Sequence, residues 1–225
     1  MLGHSHALSG ACAGVAAGIV LHLGVADVAA LGIGTAGAAL IPDLDSCGSC
    51  SARSLGLISV VPSLIIRKLS GGHRHATHSI LGIGVFGVLA WLACTFRHDL
   101  AGKIGLGFLV TLIVAGGLEA LRVCRNHAAD LIGAAVAAGV VFYGFGLTLI
   151  PVAIVAGCAA HSAGDMLTCS GCPLLTPVSK YRFKWWPRPL AFTTGSMPER
   201  LLVDPALILL LAALAYVDIA GIHAL

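Results

Sequence analysis

The chain has 225 residues, 58% of them hydrophobic and only 10% charged, with a formal net charge of +3 and a mean hydropathy of +0.97. Globular chains carry about 25% charged residues, so this one cannot clothe itself in a polar surface, which all but excludes a soluble enzyme. Disorder and nucleic-acid reading are excluded with it: the first needs low hydrophobicity, the second a broad basic face that 13 Lys+Arg do not supply.

The bilayer is then the solvent. Backbone polar groups in lipid must be satisfied within a helix or a closed barrel, and the apolar runs here lack strand-like alternation, so an all-α polytopic membrane helix bundle is expected. The 29 glycines suit helices in close contact. A hydrocarbon core of roughly 30 Å needs about 20 apolar residues per crossing. Ala7 to Val25 is the first such run, and with nothing basic ahead of it no cleaved leader is expected. Val28 to Pro42 is the second, closed by Pro42-Asp43-Leu44-Asp45. Ser54 to Ser70 is mixed, contains Pro62 and ends in Arg67-Lys68, the pattern of an interfacial or re-entrant helix. Ser79 to Phe96 and Ile104 to Leu121 are further spans. Leu131 to Ala160 runs for 30 residues without a charge. One helix of that size would measure about 45 Å, so the run is expected to divide near Gly144-Phe145-Gly146. Leu201 to Ile222 is the last span. About seven transmembrane helices and one interfacial helix result, in a single domain over residues 1–225.

Threading these spans puts eleven of the thirteen basic residues, Arg125 and Arg188 among them, on the side of the N-terminus, leaving Arg97 and Lys103 opposite. The positive-inside rule makes that side cytoplasmic, with the motif segments 42–79 and 161–200 on it and the C-terminus outside. Tyr181-Arg182-Phe183-Lys184-Trp185-Trp186 has the mixture of a headgroup anchor. Seven of the ten histidines (His4, His6, His73, His75, His78, His127 and His161) fall on the same side, with only His22, His98 and His223 opposite. Ionisable groups at membrane helix ends are expensive unless paired, solvated or metal-bound, so a one-sided collection points to a site.

Three segments carry the chemistry. His73-Arg74-His75-Ala76-Thr77-His78-Ser79 leads straight into a span; imidazoles suit zinc and its neighbours, and Arg74 suits an anionic substrate. Alone, these could equally be interface and capping histidines. His161, Asp165 and Thr168 share one helix face, where a histidine and a carboxylate can bind one ion, or the carboxylate can orient the ring. Asp43 and Asp45 can both point into one cavity from a non-helical exit after Pro42, as ligands or as a general base. An isolated Asp-x-Asp is weak evidence; convergence of separate segments on one side is much stronger. Cys12, Cys94, Cys124 and Cys158 read as packing residues. Cys47-x-x-Cys50 and Cys169-x-x-Cys172 allow a second, structural zinc clasped between two loops.

The motifs resemble the YdjM-like inner-membrane proteins, a family described as LexA-regulated, membrane-bound metal-dependent hydrolases. The resemblance rests on His6-Ala-Leu-Ser9, Pro42-Asp-Leu-Asp45, Gly72-His-Arg-x-x-Thr-His-Ser79, His161-x-x-x-Asp-Met-Leu-Thr168 and the Gly171-x-Pro-Leu-Leu-x-Pro177 that follows. It implies an integral membrane location and a metal set of His6, Asp43, Asp45, His73, His78, His161 and Asp165. Ser46, His75 and the Cys47/Cys50 pair depart from the family pattern. Shorter relatives look to lack the fourth and fifth spans, so 104–144 reads as an inserted helical hairpin whose even number of crossings preserves sidedness.

The expected function is a membrane-bound metal-dependent hydrolase, with one or two divalent ions, zinc first among them. Asp43, Asp45, Arg74 and Thr77 are the catalytic candidates. A phosphoester or other anionic lipid is the expected substrate class, since Arg reads phosphate by paired hydrogen bonds. The chain has neither H-E-x-x-H nor G-x-S-x-G, which disfavours zincin and serine-hydrolase chemistry. The alternative is a transporter or metal-handling protein using the same residues, although transport sites usually lie near the midplane. A haem protein ranks last, because haem-ligating histidines more often face each other from span interiors.

Overall fold

The computed structural model describes residues 1–124, 127–187 and 190–221. Arg125, Arg188 and His223, which enter the sidedness count, lie outside the described residues, as does the Cys50 side chain. Nine α-helices occur among the described residues: α1 (Gly3–Val20), α2 (Val25–Ala38), α3 (Cys50–Arg53), α4 (Leu57–Ser70), α5 (Ile80–Thr95), α6 (Leu100–Ala120), α7 (His127–Tyr143), α8 (Leu149–Met166) and α9 (Asp204–Ile219). Beyond two isolated β-bridges, Thr168 with Phe192 and Cys172 with Phe183, these residues form no strand.

The long apolar run divides where glycine allows it. Gly144 and Gly146 adopt φ of +73° and +68°, which ends α7 and lets α8 start at Leu149. Among the described residues, four helical stretches, Val25–Asp45, Leu100–Ala120, Leu149–Met166 and Glu199–Ile219, are long and apolar enough to cross a membrane, and Ile80–Thr95 and His127–Tyr143 are shorter apolar helices.

Small residues bring the backbones together. Gly10, Gly14 and Gly18 recur every fourth residue along one face of α1, and a Cβ at any of them would meet Thr35, Leu31 or Val28 of α2. Gly37 of α2 likewise abuts the Ile113 carbonyl of α6, and Gly157 of α8 abuts Ala38 and Ala39. Ile41, Leu44, Leu106, Leu112, Ile154 and Cys158 fill the interior of this bundle. Bulkier side chains at the glycines would push α1, α2, α6 and α8 apart and open that core.

Helix α4 reverses the usual polarity of a surface helix. Leu57 and Leu69 are 79% and 81% exposed, with Ile58, Val61, Leu64 and Ile65 beside them, while Ser59, Ser63 and Ser70 are buried. Ser63 Oγ donates to the Leu44 carbonyl at 2.5 Å and Ser59 Oγ to the Ala52 carbonyl at 3.0 Å. Its apolar face suits acyl chains and its serine face seals it onto the Pro42–Asp45 turn, which fits the interfacial reading. Helix α9 is similar in kind: its buried residues are Asp204 and Asp218, while Leu209 and Leu210 face outward.

Candidate metal centre

Four segments meet at one end of the bundle. The first turn of α1 carries His6. The 3-10 turn Pro42–Asp45, with proline at its start, ends α2 and carries both aspartates. The loop before α5 closes in a second 3-10 turn, Ala76–His78. Ser79 caps α5 by accepting from the Gly82 amide at 3.1 Å while donating to the Ala76 carbonyl at 2.6 Å, which holds Thr77 and His78 against the bundle. The last turn of α8 presents His161 and Asp165 on one face. Ser162 Oγ and Cys172 Sγ both donate to the His78 carbonyl, at 3.1 and 3.2 Å, tying α8 and the following loop to the α5 entrance.

All seven residues of the expected metal set come together. His6, His161 and Asp165 form one group with metal-ligating atoms within 4.8 Å of one another; Asp43, His78 and His161 form a second; Asp45, His73 and His78 form a third. His161 and His78 are each shared between two groups, so the seven form one continuous cluster.

Hydrogen-bond partners assign the imidazole tautomers. His161 Nδ1 lies 2.6 Å from the Ala39 carbonyl, which can only accept, so Nδ1 carries the hydrogen. Thr77 Oγ1 donates to Asp45 Oδ2 at 2.5 Å, so its 3.0 Å contact with His78 Nδ1 requires His78 to donate from Nδ1. With both Nδ1 atoms donating, the two rings turn their Nε2 atoms towards each other, 3.1 Å apart. Asp165 Oδ2 lies 3.8 Å from His78 Nε2 and 3.7 Å from His161 Nε2; Asp43 Oδ1 lies 3.7 and 3.8 Å from the same two atoms. Two facing nitrogens and two carboxylate oxygens call for positive charge between them, which a shared proton or a cation supplies, and a divalent cation matches this nitrogen and oxygen set.

Orphaned atoms argue the same way. His6 stacks on His161 with centroids 3.7 Å apart. Neither His6 ring nitrogen has a hydrogen-bond partner, nor does Asp165 Oδ2, although all three are buried. Unpaired buried polar atoms cost about 1–3 kcal/mol each, so a cluster of them fits a site that takes a ligand. Asp165 Oδ1 receives the Met1 amino group at 2.8 Å and Arg74 Nη2 at 2.9 Å, with His6 Nε2 at 3.4 Å.

Asp45 has a different environment. Its Oδ1 pairs with His73 Nδ1 at 2.6 Å, and its Oδ2 accepts from the Arg74 amide at 3.0 Å as well as from Thr77. That bond to Asp45 raises the His73 pKa above the usual histidine value, against a smaller opposing effect of burial. Arg74 itself sits at φ +58°, a turn that lets its amide and its guanidinium reach two different carboxylates. His73 and Arg74 then open onto a vestibule of about 830 Å3 lined also by Arg182 and Lys184.

Some expectations fail or fall elsewhere. His75 turns its Nδ1 to the His73 carbonyl and stays outside the cluster. The four-cysteine zinc clasp is not formed among the described residues. Cys172 is fully buried, its thiol pushed up to about 11 by burial and bonded to the His78 carbonyl; Cys169 donates to the Ala191 carbonyl at 3.3 Å; Cys47 lies against Arg67. Each of these thiols is committed to a separate neighbour. Sequence reasoning also missed Glu199, which is fully buried and accepts from the Leu2 and Gly195 amides, both at 2.6 Å, anchoring the segment that carries His6. Its only sequence signal is an acidic residue beside a proline at the start of a span.

No curated protein and no solved structure matches the chain. Its family is nevertheless shown by a match over residues 1–222: the chain belongs to the YdjM inner membrane protein family.

Proposed function

We propose that the protein is a membrane-bound metal-dependent hydrolase that cleaves a phosphoester of an anionic lipid at the cytoplasmic face. The facing Nε2 atoms of His78 and His161, 3.1 Å apart and flanked by Asp43 and Asp165, carry this reading. His6, His78, His161 and Asp165 would hold the ion, zinc by its nitrogen and carboxylate donors, with Asp43 beside it. Bound there, it would act as a Lewis acid that makes a water nucleophilic near neutral pH.

The remaining steps belong to the chain. Arg74 has a buried Nε without a hydrogen-bond partner and lies at the vestibule, where it orients a phosphate oxygen. Arg182 and Lys184 attract the headgroup. Asp43, whose side chain keeps 21% of its surface open, takes the proton from the attacking water. As the water oxygen bonds to phosphorus the ester P–O bond breaks, and His73 at the mouth is placed to protonate the departing oxygen. Asp45 and Thr77 position His73 and His78 and do not bind the ion themselves. In this reading α1, α2, α5, α6, α7, α8 and α9 make seven crossings, α4 lies in the interface, and the basic loops face the cytoplasm. The closed apolar core beneath the cluster, with Ile41, Leu44, Ile154 and Cys158, favours hydrolysis over a transport path.

The test is metal content per chain in detergent-solubilised protein, followed by phosphate release from phosphatidic acid. Stoichiometric metal, lost together with turnover in His161→Ala and Asp165→Asn, is expected. Full metal content in both variants would overturn the assignment of the site, and a metal-loaded protein that hydrolyses no phosphorylated lipid would overturn the substrate class.

A further inference from the structure

A second polar cavity lies outside the metal cluster. It measures about 850 Å3 and is lined by the start of α1, the end of α6 and the start of α9, with Arg122, Arg200, His4, Asp204 and Glu119 on its walls. Asp204 is 9% exposed; its Oδ2 pairs with His4 Nε2 at 2.8 Å, while its Oδ1 has no hydrogen-bond partner. Two guanidinium groups thus share the cavity with a buried carboxylate oxygen that lacks a donor.

The floor of this cavity is apolar and continues along the helices. Leu121 lines both it and an adjoining groove of about 600 Å3, whose walls are almost wholly aliphatic. The same helix faces continue from one to the other: Leu8, Ala11 and Val15 on α1, and Asp204, Ile208, Leu211 and Ala215 on α9. These are the 3–4 residue spacings of a single helical stripe. Asp204 to Ala215 covers about 16 Å along the helix, roughly one leaflet of a 30 Å hydrocarbon core.

We infer that this is a binding site for one zwitterionic glycerophospholipid carrying a primary ammonium. Arg122 and Arg200 meet its phosphate, the free oxygen of Asp204 accepts from its ammonium, and one acyl chain lies in the groove between α1, α6 and α9. An anionic headgroup without an ammonium leaves the Asp204 oxygen unpaired and faces its charge, so it is the poorer ligand. The lipid fills the gap beside α9, whose own buried residues are two aspartates. This inference does not depend on the metal centre or on any hydrolytic activity.

The experiment titrates delipidated protein in detergent micelles with phosphatidylethanolamine or phosphatidylglycerol of identical chains, counting bound lipid by native mass spectrometry. The expected result is one phosphatidylethanolamine per chain, held in preference to phosphatidylglycerol. Arg200→Gln should weaken both by roughly tenfold, the loss of one charge-assisted hydrogen bond. Asp204→Asn should abolish the preference while leaving phosphatidylglycerol binding in place. Ala215→Trp, and independently Leu211→Trp, should block the groove and remove stoichiometric binding while metal content stays unchanged. The inference is overturned by equal uptake of both lipids in wild type, by an unchanged preference in Asp204→Asn, or by wild-type binding in both tryptophan variants.

Discussion

Replacing Thr77 by valine removes one oxygen from the centre and almost no volume. Thr77 is 5% exposed, and its hydroxyl joins Asp45 Oδ2 at 2.5 Å to His78 Nδ1 at 3.0 Å. Asp45 keeps two other donors, His73 and the Arg74 amide, so its loss is partial. The His78 Nδ1 hydrogen loses its acceptor, and the nearest oxygen left, Asp45 Oδ2 at 3.6 Å, is beyond hydrogen-bond reach. A charge-assisted bond contributes about 1.5–3 kcal/mol and a neutral one about 1 kcal/mol; with Asp45 still held from two sides, the net destabilisation should be about 2 kcal/mol. The effect on metal should be larger than that figure suggests, because His78 is then free to carry its hydrogen on either nitrogen and to rotate. Loss of an orienting partner of this kind typically costs about 10–100-fold in metal affinity. Zinc affinity measured by competition with a chromophoric chelator, in one detergent and at one pH, reads this directly. Thr77→Ser restores the hydroxyl and should recover most of the affinity. Wild-type affinity in Thr77→Val, or a serine variant as weak as the valine one, would falsify the tautomer argument and with it the reason for placing positive charge between His78 and His161.

Other substitutions test other parts of the structure. His6→Ala should reduce bound metal while leaving the Asp45–His73–Thr77 network intact, and a full complement of metal in that variant would remove His6 from the ligand set. Gly37→Leu drives a side chain into the Ile113 carbonyl of α6 and should lower the melting temperature by several degrees; an unchanged melting temperature would show that α2 and α6 are not in backbone contact. Cys172, fully buried and with its thiol at about 11, forms thiolate only at pH values near or above that, so maleimide labelling at pH 7 should spare it in folded protein and modify it in denaturant. Ser63→Ala breaks the bond to the Leu44 carbonyl and should cost about 1 kcal/mol in stability, with serine-to-threonine exchange at the same place costing less.

Much of this was legible in the sequence because membrane solvent imposes strong rules. Apolar runs mark helices when lipid forbids unpaired backbone, and the division at Gly144 followed from length alone. The convergence of His6, Asp43, Asp45, His73, His78, His161 and Asp165 was legible because they are ionisable groups where such groups are costly. What spacing could not show is which of them would be satisfied. Asp43 and Asp45 are two residues apart and look equivalent, yet Asp45 is enclosed by three donors and Asp43 faces two imidazole Nε2 atoms. The cysteine pairs misled for a related reason: a C-x-x-C spacing records proximity along the chain, whereas the thiols of Cys169 and Cys172 turn to different carbonyls. The reversed polarity of α4 was half visible, since Pro62 and the basic end signalled an interface but the inward direction of Ser59 and Ser63 depends on the fold they seal.

That reversed helix also has a mechanical connection to the candidate site. The peptide carbonyl held by Ser63 is that of Leu44, which sits between the two aspartates of the site. The helix turns Leu57 and Leu69 outward while its serine holds the backbone joining Asp43 to Asp45. One hydrogen bond thereby ties the position of α4 to the peptide between the two carboxylates, and a shift of the helix would be felt in their spacing.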